Sequence, residues 1–172
     1  MDAAKIVSKI SKEHGIIKNV YFLACGGSLV DLYPGYYFVR AESAVMDAQW
    51  IPAREFALTP PKKLGKDSLL IICSHSGKTK ECLEAAKVGI NAGAAVVTMT
   101  HAPGSPCDCE EWISVVYDWA PGVKEAQKPQ GIVLGILNEL MKAQEPGYTL
   151  YSSIKEGFEK IDDIIAEAVK KQ

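Results

Sequence analysis

The chain has 172 residues, of which 48% are hydrophobic and 23% charged, and its formal charge is −2. This fits one globular domain with a sizeable core and argues against a surface built for nucleic acid or an anionic membrane. No apolar run approaches the roughly 20 residues of a membrane span, and the opening Met1-Asp2-Ala3-Ala4-Lys5 lacks the apolar stretch of a secretion signal.

Taken in chain order, Ala3, Ile6, Val7 and Ile10 fall at helical spacing and predict a helix over 3–14, which Gly15 ends. Residues 19–24 read as a buried strand that breaks at Gly26-Gly27-Ser28, with Ser28 placed to cap the next helix. That helix is expected to run to about Glu42, kinked or interrupted at Pro34-Gly35. Residues 44–47 are a weak strand candidate, and 52–59 a short helix ended by Pro60-Pro61. A strand at 69–73 leads through Ser74-His75-Ser76-Gly77-Lys78-Thr79 into a helix that reaches about Asn91. Further strands are expected at 94–99 and 112–117, separated by a loop rich in Pro, Gly and Cys, and a helix at about 133–143. After Glu145-Pro146-Gly147, residues 152–169 form an amphipathic helix with Ile154, Phe158, Ile161, Ile164, Ile165 and Ala168 on one face.

Nearly continuous apolar strands alternating with helices indicate a parallel sheet covered on both faces, with ligands beyond the carboxyl ends of the strands. Two polar turns, after Ala24 and after Cys73, fall at such ends. The second suits an anion: helix N-terminal N–H groups lack intrahelical partners, the helix dipole adds positive potential, and Ser and Thr hydroxyls complete a cradle. Gly77-Lys78-Thr79 is not a nucleotide loop, because that motif needs a glycine where Ile72 stands inside the strand. The first turn is not a dinucleotide loop either, since Ser28 and Asp31 occupy two of its glycine positions. Ser76 and Thr79 could serve as helix caps alone; Ser74, Ser76, Thr79 and Ser28 together favour a single phosphate.

Cys25-Gly26-Gly27-Ser28 followed by Ser74-His75-Ser76-Gly77-Lys78-Thr79, with Ala53-Arg54-Glu55-Phe56 between them and Gly104-Ser105-Pro106 beyond, resembles the sugar isomerase (SIS) domain over roughly residues 18–145. The resemblance is strongest to the N-terminal half of two-domain enzymes, among them fructoselysine- and glucoselysine-6-phosphate deglycases and the isomerase part of glucosamine-6-phosphate synthase. It implies a three-layer α/β/α sandwich with a parallel sheet of about five strands. It also implies phosphate or sugar contacts from Gly26, Gly27, Ser28, Ser74, His75, Ser76 and Thr79. Gly27 replaces a common Thr or Ser of the pattern.

Isomerisation and deglycation both need an acid/base group at the sugar's first two carbons. In the two-domain relatives a Glu and a His near a G-E-x-K/R-H-G segment supply it, and this chain has no such segment. Glu55 and His101 are the weak catalytic candidates; the plain alternative for Glu55 is a helix surface carboxylate. His75 is expected to contact substrate, and His14 to be a surface residue. Lys62, Lys63, Lys78 and Lys80 could raise the potential near a phosphate, with solvation as the simpler reading. Cys107-Asp108-Cys109 is too sparse for a zinc site, so no metal and no cofactor is expected. The five cysteines are odd in number and read as reduced thiols in a cytoplasmic protein. Trp50, Trp112 and Trp119 are expected to pack.

These expectations amount to a sugar-phosphate-binding domain over 1–145 and a C-terminal helix over 146–172 that either packs back or leads to a second domain. The ligand would be a phosphorylated sugar or amino-sugar. The partner would be a second copy, in a dimer, or a second SIS domain. Neither nucleic acid nor membrane is expected as a partner. A complete single-domain isomerase active as an oligomer, and a non-catalytic sugar-phosphate sensor or partner subunit, are the competing readings.

Overall fold

The computed structural model describes residues 2–171. Its elements in order are α1 (Ala3–His14), β1 (Asn19–Ala24), α2 (Gly27–Asp31), α3 (Tyr33–Glu42), β2 (Asp47–Pro52), α4 (Ala53–Leu58), β3 (Ser68–Cys73), α5 (Lys80–Asn91), β4 (Ala95–Thr100), β5 (Ile113–Val116), α6 (Pro129–Gln144) and α7 (Tyr151–Lys170). The five strands pair in parallel in the order β2-β1-β3-β4-β5.

The strand sequences explain this arrangement. β1, β3 and β4 are buried at every position, as continuous apolar runs must be when both faces are covered. Alternate side chains divide between two cores. Phe22, Ile71 and Val97 meet α1, α3 and α6 through Ile10, Val39 and Leu137, whereas Tyr21, Leu23, Leu70 and Ile72 meet α4 and α5 through Phe56, Ala85 and Ala86. The result is the three-layer α/β/α sandwich expected from the sequence.

Three local expectations shift. The weak strand at 44–47 lies instead at Asp47–Pro52, because β2 is an edge strand with one neighbour and stays half exposed, so its sequence lacks a buried run. The helix after the first turn breaks at Leu32, ahead of Pro34, which then sits in the first turn of α3 where a missing N–H costs nothing. Ser28 does not cap α2; Gly26 is the cap residue, at φ 59°, and Ser28 lies inside the first turn.

Glu145 is buried, and its carboxylate accepts from the Ser43 hydroxyl and from Ala44 N at 2.9 Å. Gln144 bonds both N and O of Ile17, tying the end of α6 to the entry of β1. The first part of α7 docks: Asn138 donates to Tyr151 O at 3.1 Å, and Asp162 accepts from Glu125 N at 3.0 Å. Beyond it Ile164 and Val169 are 61% and 65% exposed.

Gly35 lets α3 approach α6 and β1 closely. A Cβ there would lie 2.3 Å from Val133 Cγ1 and 3.0 Å from a Phe22 ring carbon. Gly35→Ala is therefore expected to cost about 1–3 kcal/mol, read as a lower urea midpoint at unchanged slope. An unchanged midpoint would show that α3 and α6 separate freely.

Candidate functional site

β1 and β3 are neighbours with Ala24 opposite Cys73, so the turns that follow them leave the sheet side by side. The chain departs from β1 toward β2 on one side and from β3 toward β4 on the other, making this the crevice where an open α/β sheet accommodates a ligand.

The second turn is built to hold its shape. Ser74 N donates to Met99 O at 3.0 Å, Gly77 N to Ser74 O at 2.9 Å, and Cys107 N to Gly77 O at 3.0 Å. Gly77 has φ +65°, and a Cβ on it would fall 1.9 Å from Ser105 Oγ, so both the backbone angle and the space require glycine. Ser105 is buried and its hydroxyl makes no hydrogen bond among the described residues. Ser74 is buried, with Oγ 2.8 Å from Thr79 Oγ1, while Ser76 is exposed and its Oγ accepts from Lys78 N at 3.3 Å. Thr79 is the cap residue of α5 yet makes no side-chain capping bond. The turn thus gathers hydroxyls at the positive end of a 12-residue helix without spending them on that helix.

From the first turn, Gly26 and Gly27 are exposed and Ser28 is half buried, with its hydroxyl near the Cys73 sulfur. His75 points to the β5 side. Its Nδ1 lies 2.9 Å from Tyr117 Oη, and its ring stacks on that of His101 with centroids 5.0 Å apart and planes 16° apart. His101 Nδ1 lies 3.1 Å from Tyr117 O. Trp119 stands edge-on to His75 at 6.0 Å. Asp31, three residues past Ser28, accepts from Gln130 Nε2 at 2.7 Å; burial pushes its carboxyl up, and attraction by His75 partly offsets that.

The structure brings Ser28, Ser74, His75, Ser76, Thr79 and His101 to one edge. Glu55 lies in the first turn of α4, exposed, and takes no part in the hydrogen bonds and ring contacts that link the others among the described residues. Asp31, Tyr117 and Trp119 were not picked out from the sequence as site residues, although Tyr117 and Trp119 follow a strand end and Asp31 shares a helix with Ser28. Of the tryptophans, only Trp112 is a buried packing residue; Trp119 is 45% exposed and Trp50, whose Nε1 donates to Leu29 O, is 37% exposed. Lys63 pairs with Asp47 at the amino end of β2, away from the site, and Lys80 pairs with Glu84. A cavity of about 240 Å³ lined by Lys9, His14 and Trp112 lies at the amino end of β4, also far from these turns. His14, expected at the surface, is half buried there, with Nδ1 shielded and without a partner among the described residues.

No protein-family model matches the chain. It is 32% identical over 156 residues to fructosamine deglycase FrlB of Bacillus subtilis (strain 168), covering 91% of this chain and 47% of that protein. It is 30% identical over 168 residues to a glutamine–fructose-6-phosphate aminotransferase (isomerizing) of Clostridium tetani (strain Massachusetts / E88), covering 94% and 27%. A solved structure of a proposed phosphosugar isomerase from Salmonella typhimurium LT2 matches with TM-score 0.91 at 33% identity, over 99% of this chain and 51% of that one. The chain spans about half the length of the deglycase it matches.

The site also sets the thiol chemistry. Burial pushes Cys73 up to about 12 against the opposing hydroxyl of Tyr117, and burial pushes Cys107 up to about 11 against that of Ser74; Cys82 is raised too, by burial. At pH 8 a thiol near 12 is thiolate in only ~10⁻⁴ of molecules. Iodoacetamide at pH 8 should modify half-exposed Cys25 and Cys109 in the native chain and reach Cys73, Cys82 and Cys107 only in denaturant, as read by peptide mass spectrometry. Native modification of Cys73 at the rate of Cys25 would contradict this.

Proposed function

Proceeding from a chain with the sugar isomerase type of fold, whose homologues and structural neighbours are phosphosugar isomerase and SIS domain proteins, we propose that it is the sugar-phosphate-binding domain of a fructosamine-6-phosphate deglycase-like enzyme. The phosphate of a phosphorylated sugar or amino-sugar sits on Ser74, Ser76 and Thr79 and on the first N–H groups of α5. Gly26, Gly27 and Ser28 close over the ligand from the β1 side, and His75 faces the sugar. The observation that carries this reading is the pairing of Ser74 and Thr79 hydroxyls, 2.8 Å apart, over a helix N-terminus whose cap residue makes no capping bond. Gly26 and Gly27 suit the opposite wall, because both are exposed and neither would obstruct a ligand with a side chain.

We assign the binding domain to residues 1–145 and the helix that follows to contact with a second sugar isomerase domain, on the same polypeptide or on a second copy. The anchoring of Gln144 and Glu145 supports the boundary, and the exposed Ile164, Ile165 and Val169 support the contact.

Calorimetric titration with fructose 6-phosphate or glucosamine 6-phosphate tests the site. A hydrogen bond to a charged group is worth about 1.5–3 kcal/mol, so Ser76→Ala and Thr79→Val should each weaken binding by about tenfold or more. Unchanged affinity in both variants would overturn the phosphate assignment.

A further inference from the structure

A fructosamine phosphate has two ends, the phosphate and the group carried by its nitrogen, and Ser74, Ser76 and Thr79 account for the first alone. The surface that continues from their turn toward β5 is built differently. His75 leaves the turn with Nδ1 2.9 Å from Tyr117 Oη and with its ring stacked on that of His101. Trp119 stands edge-on to His75 at 6.0 Å and to Tyr117 at 6.3 Å. Tyr117 is buried, whereas His75, His101 and Trp119 are exposed. Exposed rings grouped around one buried anchor form a wall whose shape is set in advance, which lowers the ordering cost of binding.

Tyr117 also lines a cavity of about 360 Å³ beside β5, together with Val116, Asp118 and Gln127. β5 is the last strand of the sheet, and Tyr117 N donates inward to Thr100 O at 2.9 Å. Alternation along the strand therefore turns the N–H and C=O of Val116 outward, away from β4. Asp118 is exposed, and its Oδ1 accepts from Trp119 N at 2.7 Å and from Ala120 N at 3.0 Å, while Oδ2 has no partner among the described residues. These two bonds fix the carboxylate next to Trp119, and none of the described lining residues of the cavity is basic. A fixed carboxylate beside an exposed indole suits a cation, through a charge-assisted hydrogen bond and through the negative face of the ring.

From this geometry we infer that the Trp119 wall and the cavity beside β5 form the subsite for the nitrogen substituent of the sugar, and that the substituent it selects bears a positive charge. The inference rests on the phosphosugar reading above, because His75, the bridge to this subsite, lies in the turn that would hold the phosphate. Trp119 packs against the chain of the substituent and Asp118 pairs with its charge. The outward backbone groups of Val116 and the amide of Gln127 take the remaining hydrogen bonds. Tyr117 is a positioning residue, since its hydroxyl holds His75 on one side and its backbone places Asp118 and Trp119 on the other.

The test is calorimetric titration of the 172-residue chain with fructose 6-phosphate and with three aminodeoxyfructose 6-phosphates whose nitrogen carries a butyl, an aminobutyl or a carboxypropyl chain. The aminobutyl adduct is expected to bind about tenfold tighter than the butyl adduct, and the carboxypropyl adduct to bind most weakly of the three. Asp118→Asn keeps the acceptor for Trp119 N and Ala120 N and removes only the charge. It should bring the aminobutyl adduct within about threefold of the butyl adduct, while fructose 6-phosphate, which has no substituent to place there, stays within about threefold of its wild-type affinity. That retained affinity also shows the variant to be folded. Trp119→Ala should weaken the butyl and aminobutyl adducts by about fivefold more than it weakens fructose 6-phosphate. An aminobutyl adduct bound no tighter than the butyl adduct by the wild-type chain, or an advantage that survives Asp118→Asn, overturns this inference alone. A chain that binds none of the four compounds overturns the phosphosugar reading with it.

Discussion

The parallel pairing of β1 with β3 is the constraint on which the rest depends. Both strands are buried at all six positions, so their backbone N–H and C=O groups must find partners in the ladder, and the register that places Ala24 opposite Cys73 leaves little freedom to slip. Once that register holds, the two turns emerge together and diverge. The crossovers that continue the chain carry α2 and α3 to one face and α5 to the other, so the crevice between the turns follows from topology. Helices and loops adjust its chemistry without creating it.

The cluster beyond the crevice shows how one sheet face prepares polar groups for solvent. Cys73, Met99, Val115 and Tyr117 all point to the α6 side and form one apolar floor. The hydroxyl of Tyr117 is raised strongly by burial and stays protonated, which makes it a steady neutral partner for His75. Opposite, the Ser74–Thr79 turn is propped from below by Ser105 and Thr100, whose Oγ1 donates to His75 O at 3.3 Å. The polar groups of these turns are thus backed by side chains already fixed in the core.

The parts of this arrangement legible in the sequence were those with a strong local signal. Apolar runs such as 69–73 and 94–99 announce buried strands, and Ser74-His75-Ser76-Gly77-Lys78-Thr79 announces a polar turn because hydroxyls and glycine follow such a run directly. β2 was misplaced because an edge strand need not be apolar: Asp47 and Gln49 cost nothing where solvent covers one side. The imidazole pair was illegible as a pair. His75 and His101 lie 26 positions apart in sequence, and only the pairing of β3 with β4, together with a tyrosine just past β5, stacks them. Gly35 was read as a helix breaker, whereas its use is close packing against Val133.

The edge strand has a consequence of its own. An open parallel sheet presents unpaired backbone groups along β2, a template on which another extended chain could polymerise. This edge is blunted at both ends. Asp47, paired with Lys63, places charges where a new strand would begin, and Pro52 lacks the N–H that a growing ladder would need. Sheet extension across this border is therefore discouraged, which guards β2 against fibrous self-association and leaves the helical surfaces as ground on which neighbours can meet the domain.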